Sequence, residues 1–123
     1  MGLWDFGKSN SGKKQDSFIK NTNWHNKGAS LVKLEKYEEA IACYNQVIRF
    51  NFKDHNAWFN RGNSLANLRK YEEAIACYDK VIRINPEDAS AWRYKGTVLK
   101  KLGGDEEAEK CFTKSKEIGF VTK

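Results

Sequence analysis

Tyr37–Tyr44 reads YEEAIACY, and the same eight letters return at Tyr71–Tyr78, 34 residues further on. A weaker third copy, DEEAEKCF, stands at Asp105–Phe112 after one more step of 34. A fixed period of this length marks an array in which each unit buries its apolar face on its neighbour. The period holds outside the opening stretch. Trp24, Trp58 and Trp92 obey it, as do Gly28, Gly62 and Gly96, and Leu31, Leu65 and Leu99. So do Leu34, Leu68 and Leu102, Ala40, Ala74 and Ala108, and Cys43, Cys77 and Cys111. Three units follow, residues 21–54, 55–88 and 89–122.

Each unit reads as two helices. In the second, Trp58, Arg61, Gly62, Leu65 and Leu68 recur at helical spacing, and Ala74, Ile75, Tyr78 and Ile82 do so again after the polar joint Arg69-Lys70. Two helices of about 14 residues joined this tightly make an antiparallel hairpin. Gly28, Gly62 and Gly96 lie inside first helices, where glycine costs about 1 kcal/mol against alanine. Their recurrence predicts close helix approach, with Ala40, Ala74 and Ala108 as the matching small surface. Asp54 and Asp88 are expected to cap the next first helix. Pro86 is expected to end the second unit's second helix, with Phe52 and Phe120 in the equivalent slots.

The pattern WxxxGxxL…EEA…Y/F, repeated in register and accompanied by Pro86, resembles the tetratricopeptide repeat (TPR) over residues 21–122. The resemblance implies an all-α, right-handed superhelical array (an α-solenoid) of three TPR helix-turn-helix hairpins spanning residues 21–123. It also implies that first helices line a concave face and second helices a convex one. The function it implies is a non-catalytic protein–protein interaction scaffold.

The chain has 123 residues and a net charge of +6. This is one domain's length, and three repeats are about the minimum for a stable array. No apolar run approaches the ~18 residues that span a bilayer, and no secretory leader is visible, so the cytoplasm is the expected location. Helices pack about 8–10 Å apart and a disulfide needs Cα atoms within about 7 Å, so the three cysteines are expected to stay reduced. No CxxC pair occurs, and His25 and His55 have neither ligand spacing nor a convincing carboxylate or nucleophile beside them. No catalytic residue, metal or cofactor is expected.

Residues 1–20 differ in composition. Residues 7–17 carry no large apolar side chain and read as a flexible tether. Ahead of them Leu3, Trp4 and Phe6 form a small apolar knot, a candidate anchor for this molecule's groove or a neighbour's. Gly7–Lys14, GKSNSGKK, approaches a phosphate-binding loop but has Lys14 where Ser or Thr would meet the metal, and lacks the strand and helix that frame such a loop. Phe6 removes the Ser or Thr that N-myristoylation at Gly2 would want.

Charge is sorted between the helix sets. The first helices hold Lys27, Lys33, Arg61, Arg93, Lys95, Lys100 and Lys101 and no acidic residue. If they line a concave face, the face is electropositive and suits an acidic or extended peptide. The inward slots implied by the resemblance hold Thr22, His25, Asn26, Ala29, Val32 and Lys33, then Asn56, Phe59, Asn60, Asn63, Ala66 and Asn67, then Ser90, Arg93, Tyr94, Thr97, Lys100 and Lys101. Asparagine amides suit a peptide backbone, and Phe59 and Tyr94 offer apolar anchors. The slots from which relatives clamp a chaperone's C-terminal carboxylate hold His25, Ala29, Asn60, Ser90 and Tyr94, one match in five, which argues against that ligand.

The third unit departs from the others in a patterned way. Ile41 and Ile75 become Glu109, Val47 and Val81 become Ser115, and Ile48 and Ile82 become Lys116. This solvates the end and disfavours further stacking there, as in a terminal repeat. The N-terminal end has no obvious equivalent, so weak homo-oligomerisation is expected there or through the apolar knot. Nucleic-acid binding, prompted by the net charge, and a self-assembling structural role are the alternatives to peptide binding; no nucleic-acid motif is present.

Overall fold

The computed structural model describes residues 19–121. They form six helices in three hairpins: α1 (19–33) with α2 (Tyr37–Phe50), α3 (His55–Asn67) with α4 (Tyr71–Ile84), and α5 (Ala89–Lys101) with α6 (Asp105–Val121). The array is an all-α solenoid, in which α3 packs on α2 and α4, and α5 on α4 and α6. No described helix is long and apolar enough to cross a membrane.

The turns inside the hairpins repeat the 34-residue period in their backbone. Glu35, Arg69 and Gly103 all take positive φ, at 59°, 62° and 85°. In each turn the amide of that residue bonds the carbonyl three back, and the next amide bonds the carbonyl five back: Arg69 to Ala66 at 3.0 Å and Lys70 to Leu65 at 2.9 Å in the middle hairpin. This paired closure satisfies carbonyls left over at a helix end. Only the third hairpin uses glycine there; the first two hold a side chain in a conformation that costs roughly 1–2 kcal/mol.

The loops between hairpins are equally regular. Asp54 Oδ1 accepts from Ala57 N at 3.1 Å and Asp88 Oδ1 from Ala91 N at 3.0 Å, so both expected caps form. Trp58 Nε1 donates to Phe52 O at 2.7 Å and Trp92 Nε1 to Pro86 O at 3.2 Å, pinning each loop to the helix it feeds. Helices α2 and α4 end one residue before Asn51 and Asn85. Helix α6 does not stop at the equivalent place; it continues through Phe120 to Val121. Phe120 cannot terminate a helix as a proline can.

The recurrent glycines do mark close approach, but the alanines are not the nearest partners. A methyl at Gly28 would lie 2.8 Å from the Tyr44 ring, at Gly62 2.9 Å from the Tyr78 ring, and at Gly96 2.7 Å from the Phe112 ring. An aromatic ring from the second helix is pressed against each glycine. Ala40, Ala74 and Ala108 are buried alongside. Between hairpins, Ala57 and Ala91 are fully buried, while Asn23, one period earlier, is exposed. Ser64 and Val98 are buried and Ser30 is exposed. The first hairpin therefore presents polar residues at two slots that are interior further along, contrary to the expectation of an untreated N-terminal end. In the third hairpin Glu109 and Lys116 are exposed as expected. Ser115 turns inward instead, donating to Ala89 O at 2.8 Å.

Candidate functional site: a groove across the first helices

The first helices of all three hairpins contribute to one groove of about 430 Å³. Val32 comes from α1, Asn63, Ala66 and Asn67 from α3, and Arg93, Tyr94, Thr97 and Lys101 from α5. Tyr78 of α4 and Val98 complete the lining.

The floor is aromatic. Phe59 and Tyr94 rings are 5.0 Å apart, Phe59 and Tyr78 5.8 Å, and Tyr78 and Tyr94 6.3 Å in an edge-on pose. Offset and edge-on pairs of this kind add about 0.5–1.5 kcal/mol to the burial of the rings. Tyr78 is 1 % exposed, and its hydroxyl donates to Asn63 Oδ1 at 2.5 Å. Burial pushes the Tyr78 phenol well above its usual pKa of 10.0, with the neighbouring Cys77 and Tyr94 adding to the shift. The phenol therefore stays protonated and remains a donor.

That bond fixes the Asn63 amide. Its oxygen is engaged by Tyr78, so the Nδ2 hydrogens remain to be donated to a ligand. Asn67 is fixed the opposite way: its Nδ2 donates to Asn63 O at 2.9 Å, leaving Oδ1 as an acceptor. The two amides, one helical turn apart, thus offer a donor and an acceptor side by side. Thr97 Oγ1 donates to Arg93 O at 3.1 Å. Arg93 lies with its guanidinium 5.4 Å from the Tyr94 ring centre, and Lys101 has its ammonium 5.9 Å from the Tyr71 ring. Neither has a carboxylate partner among the described residues.

Of the residues expected in the groove, Asn63, Asn67, Arg93, Tyr94, Thr97 and Lys101 come together, with Phe59 packed against them. Asn26, Lys33 and Asn56 are exposed and Asn60 half-buried, all outside this lining. Lys100 lines an adjoining depression that shares Arg93 and Thr97 with the groove and is completed by Glu109, Phe112, Ser115 and Lys116. His25 is a strut between hairpins: its Nε2–H donates to Asp54 Oδ2 at 3.0 Å and its ring meets Tyr44 edge-on at 6.0 Å. The expectation that no carboxylate accompanies His25 is corrected by Asp54, which also caps α3. Leu3, Trp4 and Phe6 lie outside the described residues.

Not every first-helix cation reaches the groove. Arg61 and Lys95 reach away from the groove to the preceding second helix. Arg61 Nε donates to Asn45 Oδ1 at 2.7 Å, and Lys95 Nζ lies 2.6 Å from Asp79 Oδ1. Asn45 and Asp79 are themselves one period apart. Lys27, in the same slot, lies over Trp24 at 5.4 Å, as Arg61 lies over Trp58 and Lys95 over Trp92. A long cation goes where a partner waits, so Arg61 and Lys95 serve the joints between hairpins. Tyr78 was missed because it belongs to the packing register. The signal lay in its hydroxyl: the third unit has Phe112 in that slot, and a buried tyrosine needs a hydrogen-bond partner.

Cys43, Cys77 and Cys111 are free and buried. Burial raises all three thiols above their usual 9.0, opposed by Lys27 at Cys43, by Arg61 at Cys77 and by Lys95 at Cys111. No group of three or more His, Cys, Asp or Glu side chains suited to a metal occurs among the described residues.

Three family models match: TPR repeat over residues 28–68, and tetratricopeptide repeat over 55–88 and over 77–110. No curated protein matches the chain. Among solved structures, a MamA crystal structure superposes with a TM-score of 0.81 at 22 % identity, covering 83 % of this chain and 60 % of that one. MamA from Desulfovibrio magneticus RS-1 gives 0.77 at 22 % identity, covering 80 % and 55 %. This chain thus spans about 60 % of the MamA chain's length or less in these two comparisons. The second TPR of Spaghetti (RPAP3), bound to the HSP90 peptide SRMEEVD, gives 0.77 at 25 % identity, covering 85 % of this chain and 98 % of that one. A 34-residue period, three hairpins built on it and three overlapping repeat matches agree: the chain belongs to the tetratricopeptide repeat family.

Proposed function

We propose that this protein is a non-catalytic scaffold whose groove holds an extended, acidic peptide segment. Its fold and its TPR relatives support a protein–protein interaction scaffold, and the RPAP3 domain is a relative of comparable length with a peptide bound. The finer reading rests on one observation, the fixed and opposite orientation of the Asn63 and Asn67 amides beside an aromatic floor. The Asn63 amide donates to a peptide carbonyl and the Asn67 oxygen accepts from a peptide N–H. One apolar side chain of the ligand covers Tyr94 and Phe59. A carboxylate of the ligand meets Arg93 and Lys101, which have no acidic partner of their own among the described residues. The chaperone-tail clamp is absent from the corresponding slots, so the ligand is a different acidic segment, and one with an internal apolar residue.

The test is selection from a random peptide library displayed on phage. Sequences recovered on the intact protein are expected to pair Asp or Glu with an aromatic or aliphatic residue. Asn63→Ala combined with Arg93→Glu should lose those sequences while keeping the native helical spectrum. Recovery of the same sequences on both proteins, or of basic sequences, would refute the reading.

A further inference from the structure

A second surface lies outside the groove, at the joint between the first two hairpins. Phe52 and Lys53 of the loop, with Lys80, Arg83 and Ile84 from the last turns of α4, enclose a notch of about 350 Å³. Phe52 is 67 % exposed and Phe50, just before it, 50 %. An exposed Phe52 beside three cations is not explained by packing.

The repeat supplies an internal control. The loop between the second and third hairpins has the same backbone. Asn51 N donates to Val47 O at 2.9 Å and Asn85 N to Val81 O at 2.7 Å, and Asp54 N and Asp88 N each donate to the Asn carbonyl three back at 3.1 Å. Asn51 Oδ1 accepts from Lys53 N, and Asn85 Oδ1 from Glu87 N. Yet the slots of Phe52, Lys53 and Arg83 hold Pro86, Glu87 and Glu117 one period later. The fold therefore requires neither the aromatic nor the extra positive charge at this joint. Trp58 ties the loop down through Phe52 O, so Phe52 projects from a fixed backbone.

Chemistry selects the occupant. Lys53, Lys80 and Arg83 have no carboxylate partner among the described residues, and no acidic side chain lines the notch. Phe52 and Ile84 give it an apolar wall large enough for one side chain. A stacked nucleobase is less well suited: the Lys53 ammonium already lies 6.0 Å over the Phe52 ring and Lys80 5.7 Å over the Trp58 ring. Bound carboxylates meet the outer sides of those ammonium groups without displacing them from the rings.

We infer that the Phe52–Lys53–Lys80–Arg83 notch is a second docking site, independent of the groove, for an acidic protein segment bearing one large apolar side chain. The two sites share no lining residue, so a partner or pair of partners can hold both at once, and linkage of two weak contacts raises the overall affinity well beyond either.

The test titrates the intact chain with a hexapeptide of alternating glutamate and phenylalanine and follows backbone amide shifts by NMR. Shifts are expected at Phe52, Lys53, Lys80 and Arg83. In the variant Phe52→Pro, Lys53→Glu, Arg83→Glu, which copies the residues the same fold carries one repeat later, affinity at the notch should fall at least tenfold. In Asn63→Ala with Arg93→Glu the notch shifts should persist, so failure of the groove reading and failure of this one are separable. The inference is overturned by an absence of shifts at the notch in the intact chain, or by their survival in the swapped variant. It is equally overturned if a thymidine oligonucleotide binds the notch more tightly than the peptide, or if the notch amides move on simple dilution, which would make the occupant nucleic acid or a second copy.

Discussion

Helices α4 and α6 occupy the same place in successive hairpins and meet different fates. Helix α4 packs against α3 and α5, and its Ala74, Cys77, Tyr78 and Val81 are buried. Among the described residues α6 packs on α5, and the slots of Ile75, Val81 and Ile82 hold Glu109, Ser115 and Lys116. The ring that covers the glycine is Tyr78 in one and Phe112 in the other. Ala40, Cys43 and Gly28 keep their residue in every copy and are buried in each. Slots that change report what each hairpin borders: solvent at Glu109 and Lys116, the α5 backbone at Ser115, a groove amide at Tyr78.

The largest expected effect tests whether those two rings are as unequal as their surroundings. Removing a fully buried aromatic costs about 3–5 kcal/mol. Tyr78→Ala should lose that much, because it strips the ring from Gly62, Phe59 and Tyr94 and leaves Asn63 Oδ1 without its donor. Phe112 is less deeply buried and carries no hydrogen bond, so Phe112→Ala should lose less. Urea unfolding of both variants measures the difference. Equal losses would mean that the middle and last hairpins are held equally tightly.

A smaller effect, with a change of sign, comes from two helical glycines. A methyl at Gly62 would lie 2.9 Å from the Tyr78 ring and 3.0 Å from Cys77 Cβ, and neither buried neighbour has room to withdraw. Overpacking of about 1–3 kcal/mol, offset by about 1 kcal/mol of helix propensity, leaves Gly62→Ala destabilised by about 1 kcal/mol. A methyl at Gly119 in α6 meets nothing within 4 Å. Gly119→Ala should therefore gain about 0.5–1 kcal/mol. Thermal melts should move in opposite directions, by about 4 °C per kcal/mol in a domain of this size. A stabilised Gly62→Ala would mean that the ring is not pressed on the glycine.

The same contrast explains how far the sequence could be read. The period gave three hairpins, their joints, both aspartate caps and the close approach at Gly62, because each depends on backbone geometry that recurs with the repeat. It did not give the left-handed residues: Glu35 and Arg69 carry no local sign of positive φ, and only Gly103 betrays it. It placed half the groove residues together. It did not give the ends of the long cations, since helical spacing fixes where a Cβ points and not where a long side chain ends. Arg61 and Lys95 end on Asn45 and Asp79, partners 16 residues away in the previous hairpin. His25 likewise ends on Asp54, which the sequence identified only as a cap.

The smallest effect concerns the thiols, which carry the comparison into dynamics. Cys43, Cys77 and Cys111 are raised above 9.0, and Tyr44 and Tyr78 above 10.0, all chiefly by burial. An unfolded chain gives up these protons near 9 and 10, whereas the folded chain keeps them to higher pH. Above pH 9 the unfolded state therefore binds fewer protons than the native state, and stability falls as pH rises. Urea midpoints should be level from pH 7 to 8 and decline beyond 9, and replacing all three cysteines by alanine should flatten the first part of that decline. An unchanged decline would leave the thiols without a role in it. The order of modification by a thiol reagent at pH 8 then separates the hairpins. Cys111 is 5 % exposed, on a helix packed along one side among the described residues; Cys77 is 1 % exposed, between two hairpins, and receives Arg61 Nη1 at 3.0 Å. Local opening is easiest where fewest buried contacts hold an element. Cys111 should react first and Cys77 last; the reverse order would show that α4, not α6, is the helix that loosens.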